Sequence, residues 1–378
     1  METRRKLGVH FGCLNILALI LAPAAGHAAD VPAPEAEREN ALHIYNWADY
    51  ISPDVLEDFA RDTGIVVTYD MMDSNELLEN RLVAGGTGYD VVFPSARFLG
   101  RQVKAGIYRK LDKTLLPNLR NLDPDITAKL GKFDPGNEHS AIYMWGTSGV
   151  AYNDAAVQIM MPNAPVNSFA MLYDPAVVSK FAECGVSLLD APSEVVGTVL
   201  LYLGKDANSE KPQDLAAAEA VLKAIRPYIR QINSSTYIEA LASGEICLAL
   251  GWSGDVLQAQ ARAEEAGKAY RIEYRLPREG AVMFFDAMAI PMDARHVRNA
   301  HLFIDYLLRA EMAAANSRFV GFPNGNLAAQ PRFPMELMAD KNFFPATETQ
   351  KELVPDLAES AGFTRQLLRT WTSFRAGL

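Results

Sequence analysis

The stretch ALHIYNWADYISPDVLEDFARDTGIVVTYD, residues 41–70, decides the fold class because it places a helix between two strands. ALHIYNW is an apolar run typical of a buried strand. Ser52 and Pro53 then provide the N-cap and the first residue of a helix that ends at Gly64. IVVTYD follows as a strand rich in β-branched residues. The order strand, helix, strand predicts a β-α-β unit and therefore an α/β protein.

The same pattern continues outward along the chain. Ser74 caps a helix in NELLENRLVAG, and YDVVFPS is a third strand. Three later segments repeat the pattern, each with an aromatic or acidic residue in or just after a strand: GVSLLDAPSE with Asp190 as the expected helix cap, GEICLALGWSGDV with Ser253 as the next cap, and AVMFFDAMAIP. A chain of 378 residues built in this way is expected to hold two domains.

The N-terminus has the anatomy of a signal peptide over residues 1–28. A basic start with Arg4, Arg5 and Lys6 precedes the apolar run FGCLNILALILAPAA, and Gly26-His27-Ala28 supplies small residues for cleavage. The segment that follows, residues 29–40, is rich in proline and charge and is expected to be a tether. A lipoprotein signal through Cys13 is the alternative, but that cysteine lies inside the apolar run. The mature protein is therefore expected to be exported.

Composition restricts the partners. The formal net charge of −10 argues against nucleic acid, which requires a concentrated positive surface, and no nucleic-acid partner is expected.

Two cysteines remain after signal removal, Cys184 and Cys247. In an exported chain they are candidates for a disulfide, and two buried free thiols remain the alternative.

Aromatic and acidic side chains gather where the predicted strands end. In parallel sheets ligands bind beyond the carboxyl ends of the strands, so these groups are expected to face one crevice. Aromatic rings attract cations and pack against methylenes, and carboxylates accept hydrogen bonds from ammonium groups. The combination predicts a site for a small aliphatic amine. Its candidate residues are Trp47, Asp49, Tyr50, Ser95, Glu194, Trp252, Asp255, Phe284 and Asp286.

Structural roles compete for most of these residues. Glu194 and Asp255 fall in first helical turns, where the helix dipole favours acids without any ligand. Trp47 and Trp252 also fit as ordinary core aromatics. Asp286 differs, because a carboxylate inside the apolar run MFFDAMAIP is costly to bury unless a partner compensates it. It is the strongest single candidate.

Five blocks, in order, resemble the periplasmic putrescine- and spermidine-binding proteins of polyamine ABC transporters, with the putrescine-binding branch closest. The blocks are LHIYNWADYISPDVLEDFARDTGIVVTYD, GYDVVFPS, CGVSLLDAPSEVVGTVLLYLGKDAN, ICLALGWSGDV and EGAVMFFDAMAIP. The resemblance implies the two-lobed α/β periplasmic solute-binding protein fold, with a central cleft and crossing hinge segments. It also implies a monomer that delivers its ligand to a membrane permease. The expected lobes are 41–145 with 264–316, and 146–263 with 317–378.

The resemblance assigns ligand contacts to all nine candidates and adds Phe322, and it implies a disulfide between Cys184 and Cys247. Three positions depart from the family pattern. Ala48 replaces a serine whose hydroxyl contacts the ligand in the family, and Phe322, in VGFPNGN, replaces a pocket tyrosine. Arg97 brings a fixed positive charge near the pocket mouth, which would repel an ammonium ligand unless it points away or pairs with an acid. The preferred amine is therefore left open.

Two alternatives remain at this stage. An exported hydrolase is disfavoured, because GWSGD and GTSGV both lack the final glycine of the G-x-S-x-G motif. No cofactor is expected and no metal site either, since His296 and His301 are five residues apart, which suits surface histidines better than shared ligands. The second alternative is a polyamine sensor that signals to a membrane regulator, and the sequence does not separate it from a transport role.

Overall fold

The structure is a computed structural model that describes residues 40–72, 74–333, 339–342, 345 and 353–378. The predicted signal peptide and all of the predicted tether except Asn40 lie outside these residues. In the described part of the chain, no helix is both long enough and apolar enough to span a bilayer.

Ten strands and fourteen α-helices are described, and they alternate along most of the chain. The strands are β1 (Ala41–Trp47), β2 (Val66–Met72), β3 (Val91–Val92), β4 (Ser140–Asn153), β5 (Val186–Leu188), β6 (Gln231–Ile232), β7 (Leu248–Trp252), β8 (Ile272–Arg275), β9 (Ala281–Ala289) and β10 (Leu353–Pro355). The helices are α1 (Pro53–Thr63), α2 (Asn75–Ala84), α3 (Ala96–Lys104), α4 (Pro124–Leu130), α5 (Asp154–Met160), α6 (Ala170–Tyr173), α7 (Pro175–Val178), α8 (Pro192–Tyr202), α9 (Pro212–Ile225), α10 (Tyr237–Ser243), α11 (Ser253–Glu265), α12 (Val297–Leu307), α13 (Ala310–Val320) and α14 (Ala361–Ala376).

The opening stretch forms the predicted β-α-β unit. β1 pairs in parallel with β2 and with β3. Ser52 is the N-cap of α1, Pro53 is its first residue, and Gly64 ends it with a φ of 69°, in the left-handed region that glycine enters without strain. Ser74 caps α2 by accepting a hydrogen bond from the backbone N–H of Leu77 at 3.2 Å.

Two strands, β4 and β9, connect the two halves of the sheet. The strand order is β2-β1-β3-β9-β4-β7-β5-β6, with β10 added to β9 and β8 added to β4. β4 is buried along its whole length. Its first part, Ser140 to Thr147, pairs with β9, and its second part, Ser148 to Asn153, pairs with β7 and β8.

The buried apolar side chains form two main cores, one on each side of these crossing strands. The first core includes residues from Leu42 to Trp145 and from Met283 to Phe322. The second includes residues from Val150 to Val282 and side chains of α14. The fold is therefore the predicted two-lobed α/β architecture.

The exact lobe borders stay a prediction, and the packing of buried residues supports moving the borders predicted at residues 264 and 317. Ile272 and Tyr274 lie in the second core, whereas Val320 and Phe322 lie in the first. We propose that the chain returns to the first lobe near residue 281 rather than at 264, and that it stays there beyond Phe322 rather than leaving at 317.

Candidate functional site

A cleft between the two cores collects all ten predicted site residues. The loops after β1 and β3 line it from the first lobe, the first turns of α8 and α11 line it from the second, and β9 contributes the side chains between them. The cavity measures about 210 Å³. It is lined by Trp47, Asp49, Tyr50, Ser95, Glu194, Trp252, Asp255, Phe284, Asp286 and Phe322, together with the two departures Ala48 and Arg97.

Asp286 is a carboxylate of β9 that is only 4% exposed. Its two oxygens accept hydrogen bonds from Ser95 Oγ at 2.6 Å and from Tyr50 Oη at 2.8 Å. Burial raises the pKa of Asp286 to about 6, although both hydrogen bonds favour the ionised form. A buried acid in this setting gains stability from a cation placed in the cleft.

Glu194 occupies the first turn of α8 and is buried. Its Oε1 accepts hydrogen bonds from Trp252 Nε1 at 2.7 Å and from Ser148 Oγ. Burial, and secondarily the nearby Asp356, raises the pKa of Glu194 to about 7. The hydrogen bond to Trp252 also fixes the indole ring that lines the cleft.

Asp255 lies in the first turn of α11 and accepts a hydrogen bond from Tyr237 Oη at 2.9 Å. Burial raises the pKa of Asp255 to about 7. Asp49 differs, because its side chain is 63% exposed and lies 3.3 Å from Arg262 Nη2. The cleft is therefore lined by a desolvated carboxylate at Asp255 and a solvated one at Asp49.

Aromatic rings in edge-to-face contact form the apolar wall. The ring centroids of Trp252 and Phe284 are 6.2 Å apart, and those of Phe284 and Phe322 are 5.8 Å apart. Tyr50 contacts Phe322 at 5.5 Å between centroids. Such a wall packs against methylene groups and offers π faces to a cation. Trp47 is positioned independently of these rings by a hydrogen bond from its Nε1 to the carbonyl of Phe93 at 3.0 Å.

Glycines allow this wall to approach the backbone. A Cβ at Gly146 of β4 would lie 2.5 Å from the ring of Phe284, and one at Gly254 of α11 would lie 2.4 Å from the ring of Phe322. Both distances are below ordinary van der Waals contact. Neither glycine was identified from the sequence, because the need for it arises from chain segments distant in sequence.

Arg97 pairs with acids, which is one of the two arrangements in which its charge need not repel an ammonium ligand. Its side chain is 6% exposed, and the guanidinium pairs with Asp356, at 3.4 Å from Nη1, and with Glu359. Asp356 also lines the cleft. Sequence reasoning missed both acids, although an aspartate directly after the strand-like LVP repeats the pattern of acids following strands elsewhere in the chain.

Two helix caps were predicted wrongly. Asp190 does not cap α8, whose N-cap is Ala191; Asp190 instead accepts from Trp371 Nε1 at 2.8 Å and pairs with Arg375. Ser253 is the first residue of α11 rather than its cap, and Trp252 holds the cap position without a side-chain hydrogen bond.

The expectation of surface histidines was wrong for His296 and His301, which are both buried. His296 Nδ1 lies 2.8 Å from Asp90, and His301 Nε2 accepts from the backbone N–H of Asp112 at 2.9 Å. These bonds tie α12 to the first lobe. Among the described residues, no group of three or more His, Cys, Asp or Glu is arranged to hold a metal ion.

The charge of the cleft is strongly asymmetric. One basic side chain, Arg97, lies among its described lining residues. Seven lining residues carry carboxylates: Asp49, Glu76, Asp190, Glu194, Asp255, Asp286 and Asp356. With the aromatic wall, this arrangement is suited to a small cationic molecule with an apolar centre.

Comparison with known proteins agrees with this chemistry. The putrescine-binding periplasmic protein SpuD of Pseudomonas aeruginosa is 45% identical over 96% of this chain and 98% of its own sequence. The putrescine-binding periplasmic protein PotF of Escherichia coli is 44% identical over 90% of this chain and 93% of its own. The predicted resemblance to the putrescine-binding branch is therefore confirmed.

The fold is also shared with a solved structure. The spermidine/putrescine ABC transporter substrate-binding protein PotD of Streptococcus pneumoniae superposes with a TM-score of 0.73 at 30% identity, covering 89% of this chain and 99% of that chain. Residues 54–345 match the family model described as bacterial extracellular solute-binding protein. This chain belongs to the family of bacterial extracellular solute-binding proteins.

Proposed function

We propose that this chain is an exported solute-binding protein that captures putrescine or a related aliphatic polyamine between its lobes and delivers it to an ABC transporter. In this role it is a monomer of the periplasm that meets a membrane permease and performs no catalysis. The names of SpuD, PotF and PotD, all binding proteins for such amines, support the ligand class.

The observation that carries the proposal is the set of buried acids facing one aromatic cavity. Asp286, Glu194 and Asp255 all have pKa values raised by burial, so each is held in surroundings that disfavour its charge. A ligand with ammonium groups restores the compensation that burial removes. The aromatic wall between the acids matches the methylenes that separate those ammonium groups.

The position of the cleft between the two lobes suggests a mechanism of ligand-driven closure. Asp286 and Tyr50 belong to the first core side of the cleft, while Glu194, Trp252 and Asp255 belong to the second. A diamine that contacts both sets binds the closed arrangement better than an open one, and this difference in affinity drives closure. The closed protein then docks on the permease.

The test is isothermal titration calorimetry of the signal-free protein, unfolded and refolded to remove carried-over ligand. Putrescine, cadaverine, agmatine and spermidine are titrated in turn. We expect one-to-one binding of at least one amine, and an Asp286→Asn variant that loses about 30-fold or more in affinity. That loss corresponds to about 2 kcal/mol or more for breaking a buried charged hydrogen-bond pair.

Asp305→Asn is the matched control. Asp305 is also a buried acid of the first lobe, but it accepts hydrogen bonds from Asn118, and it does not line the cleft. We expect this variant to keep the parent affinity even where its melting temperature falls. Absence of binding by all four amines in the parent would refute the proposal, and equal affinity of the parent and Asp286→Asn would refute the assignment of Asp286 to the binding site.

A further inference from the structure

Arg97 lies in the first turn of α3 and lines the same part of the cleft as its partner Asp356. It is the second residue of this helix, whose N-cap is Ser95, the hydrogen-bond partner of Asp286. Its side chain is almost fully buried, yet it belongs to the cleft lining. The guanidinium therefore places a positive charge in this part of the cleft.

The acids that pair with Arg97 come from the segment between β10 and α14. The backbone N–H of Asp356 donates to the carbonyl of Met283, in the crossing strand β9, at 3.0 Å. The side chain of Asn208 holds the same segment to the second lobe, through the backbone of Pro355 and Leu357. The Arg97 cluster, defined as Arg97, Asp356 and Glu359, therefore joins the first lobe to the C-terminal segment.

Asp356 would otherwise extend the row of carboxylates in the cleft. Its charge raises the pKa of Glu194 and that of Arg97 lowers it, so both groups act on the same part of the cavity. As long as Arg97 is present, the charge of Asp356 is offset by a cation fixed to the protein. An ammonium group brought to this part of the cavity would meet an acid already paired and a guanidinium that repels it.

We propose that Arg97 determines selectivity by limiting the cleft to two ammonium groups. It engages Asp356 in an ion pair and so withholds that carboxylate from the third ammonium of a triamine such as spermidine, while the diamine contacts at Asp286, Glu194 and Asp255 remain available. This inference rests on the proposed function, because it concerns which amine the same cleft accepts.

The experiment measures the affinities of putrescine, spermidine and N-propyl-1,4-diaminobutane for the parent and for Arg97→Ala. The third compound has the carbon chain of spermidine without the terminal ammonium, so it separates charge from length. We expect Arg97→Ala to shift the ratio of spermidine to putrescine affinity toward spermidine by at least tenfold, and to leave the ratio for the N-propyl compound nearly unchanged.

Two further variants keep the test decisive where Arg97→Ala folds poorly. Arg97→Gln combined with Glu359→Gln removes one charge of each sign and leaves Asp356 unpaired, and we expect the same gain for spermidine. Arg97→Ala combined with Asp356→Asn removes the freed acid, and we expect the gain to disappear. Melting temperatures report on folding in each case.

Arg101→Ala is the matched control on the same helix. Arg101 pairs with Glu79 at 2.6 Å, and neither residue lines the cleft. We expect it to leave all affinity ratios at parental values. A parent that binds putrescine, with affinity ratios unchanged both in Arg97→Ala and in Arg97→Gln combined with Glu359→Gln, overturns the inference alone. An equal gain for spermidine and the N-propyl compound assigns the effect to space and also overturns it, whereas a parent that binds no amine refutes the proposed function.

Discussion

At the scale of single residues, the raised pKa values of three acids predict how binding depends on pH. Burial raises the pKa of Glu194 and of Asp255 to about 7, and that of Asp286 to about 6. Aliphatic amines titrate near 10, so the ligand stays charged while these acids change state. An ammonium in contact favours the carboxylate form, so binding lowers these pKa values and releases protons. We therefore expect affinity for the amine to rise by about tenfold or more from about pH 5.5 to about pH 8.

Calorimetry in buffers of different ionisation enthalpy measures the released protons directly. Near pH 6.5 we expect the observed heat to vary with the buffer in the direction of proton release, and the variation to become small above about pH 8.5. Glu194→Gln removes one titrating group and should reduce the number released. A dissociation constant that stays flat across this range would contradict the raised pKa values of these acids.

The presence of individual side chains in the cleft was predictable where a local sequence pattern marked them. Asp286 was found because an acid interrupts an apolar run, and Trp47 and Tyr50 because they follow a strand. The pairing of Arg97 with Asp356 was not predictable, since it joins residues 259 positions apart and depends on where the C-terminal segment returns to the cleft. Sequence patterns describe neighbours along the chain and carry no information on such a return.

At the scale of elements, the first turn of α11 is fitted to the aromatic wall through Gly254. A Cβ there would lie 2.4 Å from the ring of Phe322, which in turn contacts Tyr50 and Phe284. We expect Gly254→Ala to displace Phe322, to lower amine affinity by tenfold or more, and to destabilise the fold by about 1–3 kcal/mol through overpacking. Calorimetric titration and urea unfolding measure the two effects.

Gly362→Ala is the control for this substitution. Gly362 lies in the first turn of α14, where the nearest atom to an added Cβ is Ser360 Oγ at 4.0 Å. Alanine is the better helix former, so we expect unchanged affinity and a stability equal to or up to about 1 kcal/mol above the parent. Equal affinity of Gly254→Ala and the parent would show that the ring of Phe322 moves without consequence for the site.

The elements themselves were largely predictable from the sequence. The segments around Ser52, Gly64 and Ser74 form helices with the expected limits. Pro53 at the first helical position, the left-handed Gly64 and the side-chain cap of Ser74 fix these limits locally, whereas the side chain of Ser52 makes no capping hydrogen bond. The starts of α8 and α11 were misplaced by one residue or so at Asp190 and Ser253. There the polar side chain is committed to a tertiary role, as with Asp190 and Trp371, and no longer acts as a cap.

At the scale of the whole molecule, the disulfide between Cys184 and Cys247 supports the second lobe. It closes a loop of 63 residues with a Cα–Cα distance of 5.6 Å, next to β5 and β7. A loop of this length restricts the unfolded chain by about 4 kcal/mol in the chain-entropy description. We expect the double variant Cys184→Ser, Cys247→Ser to lose about 2–4 kcal/mol of unfolding free energy in urea.

Amine affinity is the internal control for this variant, because neither cysteine lines the cleft. We expect the dissociation constant at 25 °C to stay within about threefold of the parent. A large loss of affinity with unchanged stability would reverse the assignment and give the disulfide a role in shaping the site.

Chain length predicted two domains, but the crossing of the chain between two lobes was predictable only through resemblance. Strand and helix order indicates an α/β protein, but it does not show that β4 serves one core with its first half and the other core with its second. That division depends on which strands arrive beside β4, and these come from residues 248–252, 272–275 and 281–289. Long-range pairing of this kind leaves no periodic signal in a single chain.

The placement of Asp286 on a crossing strand affects the order in which amine binding and lobe closure take place. When two bodies turn about a pivot, groups on the pivot move least, and β9 holds this carboxylate beside Ser95 while it joins the lobes. An arriving amine therefore finds its first anchor already in place before the lobes meet. Under the proposed function, we expect capture to depend on Asp286 and the first lobe, and retention to depend on Glu194, Trp252 and Asp255. The association rate and the dissociation rate of the amine complex are therefore expected to depend on different residues of one cleft.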